Sequence, residues 1–211
     1  GLYYILWLFI QTAMPDNSYD TTNESLLWVK FLEGNTHAFE TIIKLFYNDM
    51  YHYGFCFTKD VYLLKDAIQD IFLTLWKNRA TIGKTTAVKF YLLKSLRRKL
   101  AEHINQGKRY SLKADNKDFE NLFELQLNKE DAIIYDETNS AITEQLRNAV
   151  KKLSKRQQEI IFLRFYNNAG FNEIADTMNL SHQSVYNLLH NSINRLKDIT
   201  HQKEKSANPR T

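Results

Sequence analysis

The sequence has few of the residues that interrupt or cross-link a chain, with one cysteine, two prolines and six glycines among 211 residues. The lone Cys56 excludes an intrachain disulfide and any site built from several cysteines, and it is consistent with a reducing cytoplasm. So few prolines and glycines disfavour a turn-rich sandwich or barrel and favour a helical protein. The 44% of apolar residues and 13% of aromatics are enough for buried cores, which disfavours global disorder.

No segment approaches the roughly 20 apolar residues that a membrane span needs. The nearest is Leu2–Ile10, which lacks the positive start and small-residue cleavage site of a signal peptide. We expect residues 1–23 to be an N-terminal extension, and three interpretations stay open. It is a non-native remnant or upstream translation ahead of Met14, a short helix docked on the first domain, or an anchor for a membrane or partner.

Charge is divided into blocks along the chain. Residues 84–110 carry eight basic side chains and one acidic one, and residues 147–211 carry eleven basic and five acidic ones. Between them, residues 111–146 carry three basic and nine acidic side chains. Two basic segments separated by an acidic one indicate two surfaces for a polyanion, joined by a segment that should not bind it.

Helical periodicity is clearest in the first half of the chain. An apolar stripe runs from Leu64 to Trp76 at the spacing of one helix face, with polar residues opposite. On spacing alone, an ordinary core helix explains this stripe. The next predicted helix, Ala87–Asn105, carries cations opposite an apolar face of Phe90, Leu93, Leu96, Leu100 and Ile104. Its cations and aromatics suit single-stranded nucleic acid, although a solvated charged face stays open.

Residues 170–197 have the pattern of a helix-turn-helix. A short helix, Phe171–Met178, precedes a turn at Asn179, which tolerates a left-handed backbone, and Ser181 can cap the second helix. The small Ala175 would let the two helices cross closely. The second helix would then lie in the DNA major groove. The remaining alternative is a helical hairpin that merely packs and leaves a polar face in water.

Catalytic and metal-binding patterns are missing from the sequence. The histidines form no H-E-x-x-H motif, and His52 and Cys56, four residues apart, are only two ligands. No glycine-rich phosphate loop or nucleophile elbow is present. We therefore predict no catalytic residue, no metal site and no cofactor, and we predict that the protein is not an enzyme.

Taken together, these segments resemble the bacterial sigma factors of the extracytoplasmic-function (ECF) group. GNTHAFETIIKLFY, LLKDAIQDIFLTLWKNR and VKFYLLKSLRRKL are similar to region 2 of that family, and KKLSKRQQEIIFLRFY and NEIADTMNLSHQSVYNLLHNSINRLK are similar to region 4. The resemblance covers about residues 24–110 and 140–198. It implies an all-α protein with two small helical domains joined by a flexible acidic linker.

The resemblance also implies a role for each surface. It assigns contact with core RNA polymerase to Asp66, Gln69, Asp70, Leu73 and Trp76. It assigns contact with the −10 promoter element to Lys84, Lys89, Lys94, Arg97, Arg98, Lys99 and His103. It assigns contact with the −35 element to Ser181, His182, Gln183, Ser184, Tyr186, Asn187, His190, Asn191 and Arg195.

The expected organisation has five parts. They are the extension 1–23, a region 2-like domain 24–110, an acidic linker 111–139, a region 4-like domain 140–200 and a tail 201–211. The expected function is to direct RNA polymerase to promoters and assist their opening in the cytoplasm, with core polymerase, promoter DNA and an anti-sigma factor as partners and no small-molecule substrate. The alternatives are a stand-alone helix-turn-helix regulator with a helical sensor or dimerisation domain, and a helical interaction adaptor that does not bind DNA.

Overall fold

A computed structural model describes residues 21–107, 146 and 148–207 of the chain. These residues are helical and contain no β-strand, so the predicted all-α class is confirmed. Most of the extension, the whole acidic linker and the last four residues of the tail lie outside the described residues. The chain divides into two compact units, one with the four helices up to residue 107 and one with most of the helical residues from 146 on.

The first unit is a four-helix assembly. Its helices are α1 (Thr21–Leu32), α2 (Thr36–Gly54), α3 (Val61–Asn78) and α4 (Val88–Gly107). Helix α2 packs against the other three, and α3 also packs against α4. Local sequence sets the boundaries. Gly34 adopts φ +89° in the turn after α1, Asn35 accepts a hydrogen bond from Ala38 N at 2.9 Å, and Asp60 caps α3 in the same way.

The predicted stripe of α3 forms the centre of this unit. Its members Leu64, Ala67, Ile68, Ile71, Phe72 and Leu75 are all buried. On α4 the expected apolar face is shifted. Leu93, Leu96 and Leu100 are buried as predicted, but Val88 and Leu92 join them, and Phe90 is only half-buried. Residues 88, 92, 96 and 100 follow an i, i+4 row, and this row faces the bundle because α4 packs on both α2 and α3.

The second unit begins with helical residues 148–151 and continues through α5 (Lys155–Ile161), a π-helical turn (Phe162–Tyr166), α6 (Phe171–Met178) and α7 (His182–Ala207). Ser154 caps α5 in a reciprocal arrangement with Gln157. After α5 the helix widens into the π turn, where Asn167 N donates to Phe162 O. Helix α7 packs against α5.

Candidate nucleic-acid and protein interfaces

The turn between α6 and α7 has the geometry of a helix-turn-helix. Asn179 adopts φ 53°, and Leu180 N donates to Ala175 O at 2.9 Å. Ser181 Oγ then accepts a hydrogen bond from Ser184 N at 3.2 Å and so caps α7. Asn tolerates the left-handed backbone and Ser is a preferred capping residue. Two local residue choices therefore place the start of α7 directly after the turn, as the sequence predicts.

Each of the two helices has a buried apolar face. Ile174, Ala175 and Met178 of α6 and Val185 and Leu189 of α7 are all buried. Gly170 N donates to Glu173 Oε2 at 2.6 Å, so a carboxylate satisfies a free backbone donor at the start of α6. This packing fixes which face of α7 remains in solvent. Ser192, which the sequence does not single out, is fully buried, and its hydroxyl donates to Leu188 O at 2.6 Å.

The outer face of α7 presents the side chains that the sequence assigns to base and phosphate contacts. All nine of the residues predicted for the −35 contact are exposed: Ser181, His182, Gln183, Ser184, Tyr186, Asn187, His190, Asn191 and Arg195. Tyr186 is 58% exposed, although it is a large aromatic side chain. A continuous polar face of this length on the second helix can enter a major groove.

One hydrogen bond and one ring-stacking contact hold side chains of this face against each other. Gln183 Nε2 donates to Asn187 Oδ1 at 3.0 Å, and the rings of Tyr186 and His190 stack with an interplanar angle of 7°. The carbonyl oxygen of Gln183 and the amide nitrogen of Asn187 remain available. Together they offer one acceptor and one donor side by side, which is the complement that an adenine edge requires.

A second exposed face lies on α3 in the first unit. Asp66, Gln69, Asp70 and Leu73 are all exposed, and Leu73 is 60% exposed despite being apolar. Tyr62, to which the sequence assigns no role, lies at the same helical spacing and is 83% exposed. Its i, i+4 relation to Asp66 and i+7 relation to Gln69 are the signal that could have found it. Two large exposed apolar side chains on one helix face, one of them a tyrosine, make this face a candidate protein-binding surface.

Trp76 has a different environment from the rest of the predicted polymerase-binding set. It is half-buried, with its ring centroid 5.0 Å from that of Phe39 and 6.4 Å from that of Phe31. The Arg79 guanidinium lies 4.4 Å from the Trp76 ring centroid, and Arg79 Nη1 donates to Trp76 O at 2.7 Å. The indole therefore helps to hold the end of α3 in place.

The cations predicted for the −10 contact divide into two groups. Lys84, Lys94 and Arg98 are exposed, whereas Lys89, Arg97, Lys99 and His103 are half-buried. Three of the seven form ion pairs with carboxylates of α2, α3 or α4. Lys89 Nζ lies 2.9 Å from Asp49 Oδ2, Lys99 Nζ lies 2.9 Å from Asp70 Oδ2, and Arg98 Nε lies 4.0 Å from Glu102 Oε1.

The Lys89–Asp49 pair belongs to a partly buried cluster that also includes Glu24. Burial raises the pKa of the Glu24 carboxyl above its usual range, and the nearby Asp49 carboxylate acts in the same direction, whereas Lys89 opposes the shift. Desolvation disfavours the charged carboxylate more than the lysine favours it. Lys89 therefore lies between two acidic groups, and its predicted contact with DNA stays a prediction.

The segment between α3 and α4 is held by a buried tryptophan. Trp28 of α1 is fully buried, and its Nε1 donates to Gly83 O at 3.1 Å. Beside this segment, α3 and α4 enclose an open groove of about 330 Å³. Its lining includes Tyr91 and Ser95 together with the charged groups Asp70, Arg98, Lys99 and Glu102. Cations, carboxylates and an aromatic ring thus meet in one groove.

Within the described residues, no group of three or more His, Cys, Asp or Glu side chains is placed so that it could hold a metal ion. Within the same residues, no helix has the length and apolar character that crossing a bilayer requires.

Comparison with known proteins supports the resemblance stated from the sequence. Residues 143–196 match the family model described as sigma-70, region 4. No curated protein sequence matches the chain. Among solved structures, the sigma factor RpoE from Bartonella quintana, in a co-crystal with the anti-sigma factor NepR, is similar in fold with a TM-score of 0.53. The two are 15% identical over 76% of this chain and 95% of that chain. The resemblance to sigma factors is therefore confirmed, through sequence in the C-terminal unit and through fold over most of the chain.

Proposed function

We propose that this protein is a sigma factor that directs bacterial RNA polymerase to specific promoters and assists promoter opening. The observation that carries the proposal is in the second unit. A helix-turn-helix that matches sigma-70 region 4 exposes nine polar or aromatic side chains, the capping serine and eight along its second helix. In this proposal, α7 lies in the major groove of the −35 element, and Arg195 contacts the phosphate backbone beside it.

The exposed face of α3 is the proposed contact with core polymerase. Leu73 and Tyr62 supply apolar area, and Asp66 supplies charge that would attract a basic partner surface. Aromatic anchors in the middle of such a patch contribute most of the binding energy in many protein complexes. We therefore add Tyr62 to the residues that the sequence assigns to this contact.

The proposed −10 contact combines α4 with the segment before it. Lys84 and Arg98 are exposed, and Tyr91 lies in the groove between α3 and α4. Cations that follow a phosphate backbone, together with an aromatic ring, are the means by which proteins hold single-stranded DNA. A strand separated during promoter opening is the substrate that this combination suits.

The organisation follows from these roles. We propose a region 2-like domain over residues 24–110 and a region 4-like domain over residues 140–200, joined by the acidic linker 111–139. The protein would act in the cytoplasm with polymerase and would carry out no catalysis of its own. The solved sigma factor of similar fold is bound to an anti-sigma factor, and we propose a partner of that class here.

Run-off transcription with added core polymerase over a promoter library tests the proposal. Wild-type protein should select a small set of promoters. The double variant Gln183→Ala with Asn187→Ala should discriminate less well between the selected and scrambled −35 elements. The expected loss is about 1–3 kcal/mol for each bidentate base contact that the substitutions remove. Asn172→Ala is the matched control, because it removes an exposed amide from α6 instead of α7.

Two results would contradict the proposal. One is that the protein fails to bind core polymerase and yields no promoter-specific transcript. The other is an equal decrease in affinity for selected and scrambled DNA, which would make the two amides phosphate contacts. The stand-alone regulator is not favoured, because the matched family model and the similar fold both belong to sigma factors. Tight binding to palindromic duplex DNA without polymerase would restore it.

A further inference from the structure

We propose that the ion pair between Asp70 and Lys99 couples the polymerase-binding face of α3 to the DNA-binding face of α4. Polymerase that engages Asp70 would free Lys99 for the DNA backbone. This inference rests on the proposed function and adds to it a means by which the first unit withholds a cation from DNA until polymerase is bound.

The geometry places one residue of the pair on each surface. Asp70 lies on the exposed face of α3 beside Gln69 and Leu73, and its side chain is 55% exposed. Lys99 lies on α4, 32% exposed, with its Nζ 2.9 Å from Asp70 Oδ2. Both residues line the groove between the two helices. A phosphate that approaches Lys99 there meets the Asp70 carboxylate at the same time, and its repulsion cancels much of the attraction.

The other two ion pairs that α4 makes with carboxylates of α2 to α4 lack this property. Lys89 and Asp49 are only 17% and 21% exposed, so a partner has little access to either of them. Arg98 and Glu102 are both on α4, one turn apart, and their 4.0 Å separation makes a weak pair. Among the ion pairs described in this unit, Asp70–Lys99 is the one that joins a residue proposed for polymerase to a residue proposed for DNA.

Linkage sets the size and symmetry of the effect. If polymerase binding draws Asp70 away from Lys99, DNA affinity rises, and DNA binding must raise polymerase affinity by the same factor. Exposed ion pairs contribute little individually, so the expected factor is about two- to fivefold.

The first test measures DNA binding by the full chain without polymerase. The probe is a fluorescent single-stranded oligothymidine, and the readout is anisotropy at fixed ionic strength. Asp70→Asn should bind two- to fivefold more tightly than Asp66→Asn, the matched control that removes the same charge one turn earlier on α3. In a Lys99→Gln background the two substitutions should have equal effects. Equal effects in the wild-type background would overturn the coupling.

The second test measures the reciprocal effect on core polymerase in the absence of DNA. Lys99→Gln should tighten polymerase binding by a similar factor because Asp70 loses its competing partner. Lys84→Gln, which removes an exposed cation from the segment before α4, should not tighten it. Unchanged or weaker binding by Lys99→Gln would refute the coupling.

These results separate the coupling from the function on which it rests. If wild-type protein does not bind polymerase, or if Arg98→Gln with Lys99→Gln leaves oligothymidine binding unchanged, the proposed roles of α3 or α4 are wrong and the coupling falls with them. If both activities are present but Asp70→Asn behaves like Asp66→Asn, only the coupling is wrong. Urea unfolding of every variant, followed by circular dichroism, establishes that the first unit remains folded.

Discussion

The crossing of α2 and α3 depends on one glycine, and replacing it gives a sharp test of the packing in the first unit. Gly54 is the last residue of α2, and Leu64 is a fully buried member of the α3 stripe. A Cβ added at Gly54 would lie 2.2 Å from Leu64 Cδ1 and 3.3 Å from Leu64 Cγ. Because the whole isobutyl group lies close, turning one methyl away does not relieve the contact. Gly54→Ala must therefore displace Leu64 or separate the helices.

The expected destabilisation is the difference between two effects. Forcing a methyl group into a packed core costs typically 1–3 kcal/mol, and the 2.2 Å approach places this site at the upper end. Replacing Gly by Ala in a helix contributes about 1 kcal/mol in the opposite direction. The net result is a destabilisation of about 2 kcal/mol. With a denaturant dependence of about 2 kcal/mol/M, the urea midpoint should fall by about 1 M.

Tryptophan fluorescence during urea unfolding measures this change. Of the three tryptophans, Trp28 and Trp76 lie in this unit, so two of the three report directly on its unfolding. Gly83→Ala is the control, because a Cβ there meets nothing within 4 Å. In a Leu64→Ala background, Gly54→Ala should no longer destabilise. If Gly54→Ala is as stable as wild type, or costs the same in both backgrounds, the clash with Leu64 does not determine the crossing.

Two further predictions concern charge. Asp66→Lys should weaken core polymerase binding severalfold while leaving the unfolding midpoint unchanged, because the carboxylate is exposed and no ion pair to it is described within the first unit; unaltered affinity in a pull-down titration would contradict the assignment of this face. Glu24→Gln should make the protein more stable at neutral pH. The raised pKa of Glu24 means that the folded protein binds a proton more readily than the unfolded chain, so wild-type stability falls as pH rises from the carboxyl's usual pKa through its raised value. The difference between wild type and Glu24→Gln in urea unfolding should therefore shrink below that window, and a constant difference from pH 4 to pH 8 would refute the assignment.

Local sequence predicts much of the fold and of the DNA-facing helix, because these features depend on neighbouring residues. The stripe from Leu64 to Trp76 follows helical periodicity, and burial of its apolar members follows directly from that spacing. Asn179 and Ser181 set the turn and the start of α7 through backbone and capping preferences that act within three residues. Once that start is fixed, the polar face of α7 points outward.

The distant pairings required the tertiary structure. Nothing in the sequence links Asp70 to Lys99 or Asp49 to Lys89, because each pair joins two helices whose crossing depends on the packing of the whole unit. From composition alone, every lysine of α4 is a candidate DNA contact. Whether a given lysine is available to a phosphate depends on whether a carboxylate lies beside it. The environment of Trp76 also required the tertiary structure. Its spacing suits either a surface or a core position, and its contacts with Phe39 and Arg79 show that it is half-buried. The sequence by itself determined the helices and the buried face of α3, whereas packing decided the exact face that α4 buries and the partners of the charged side chains, since Coulomb interactions depend on distances that only packing sets.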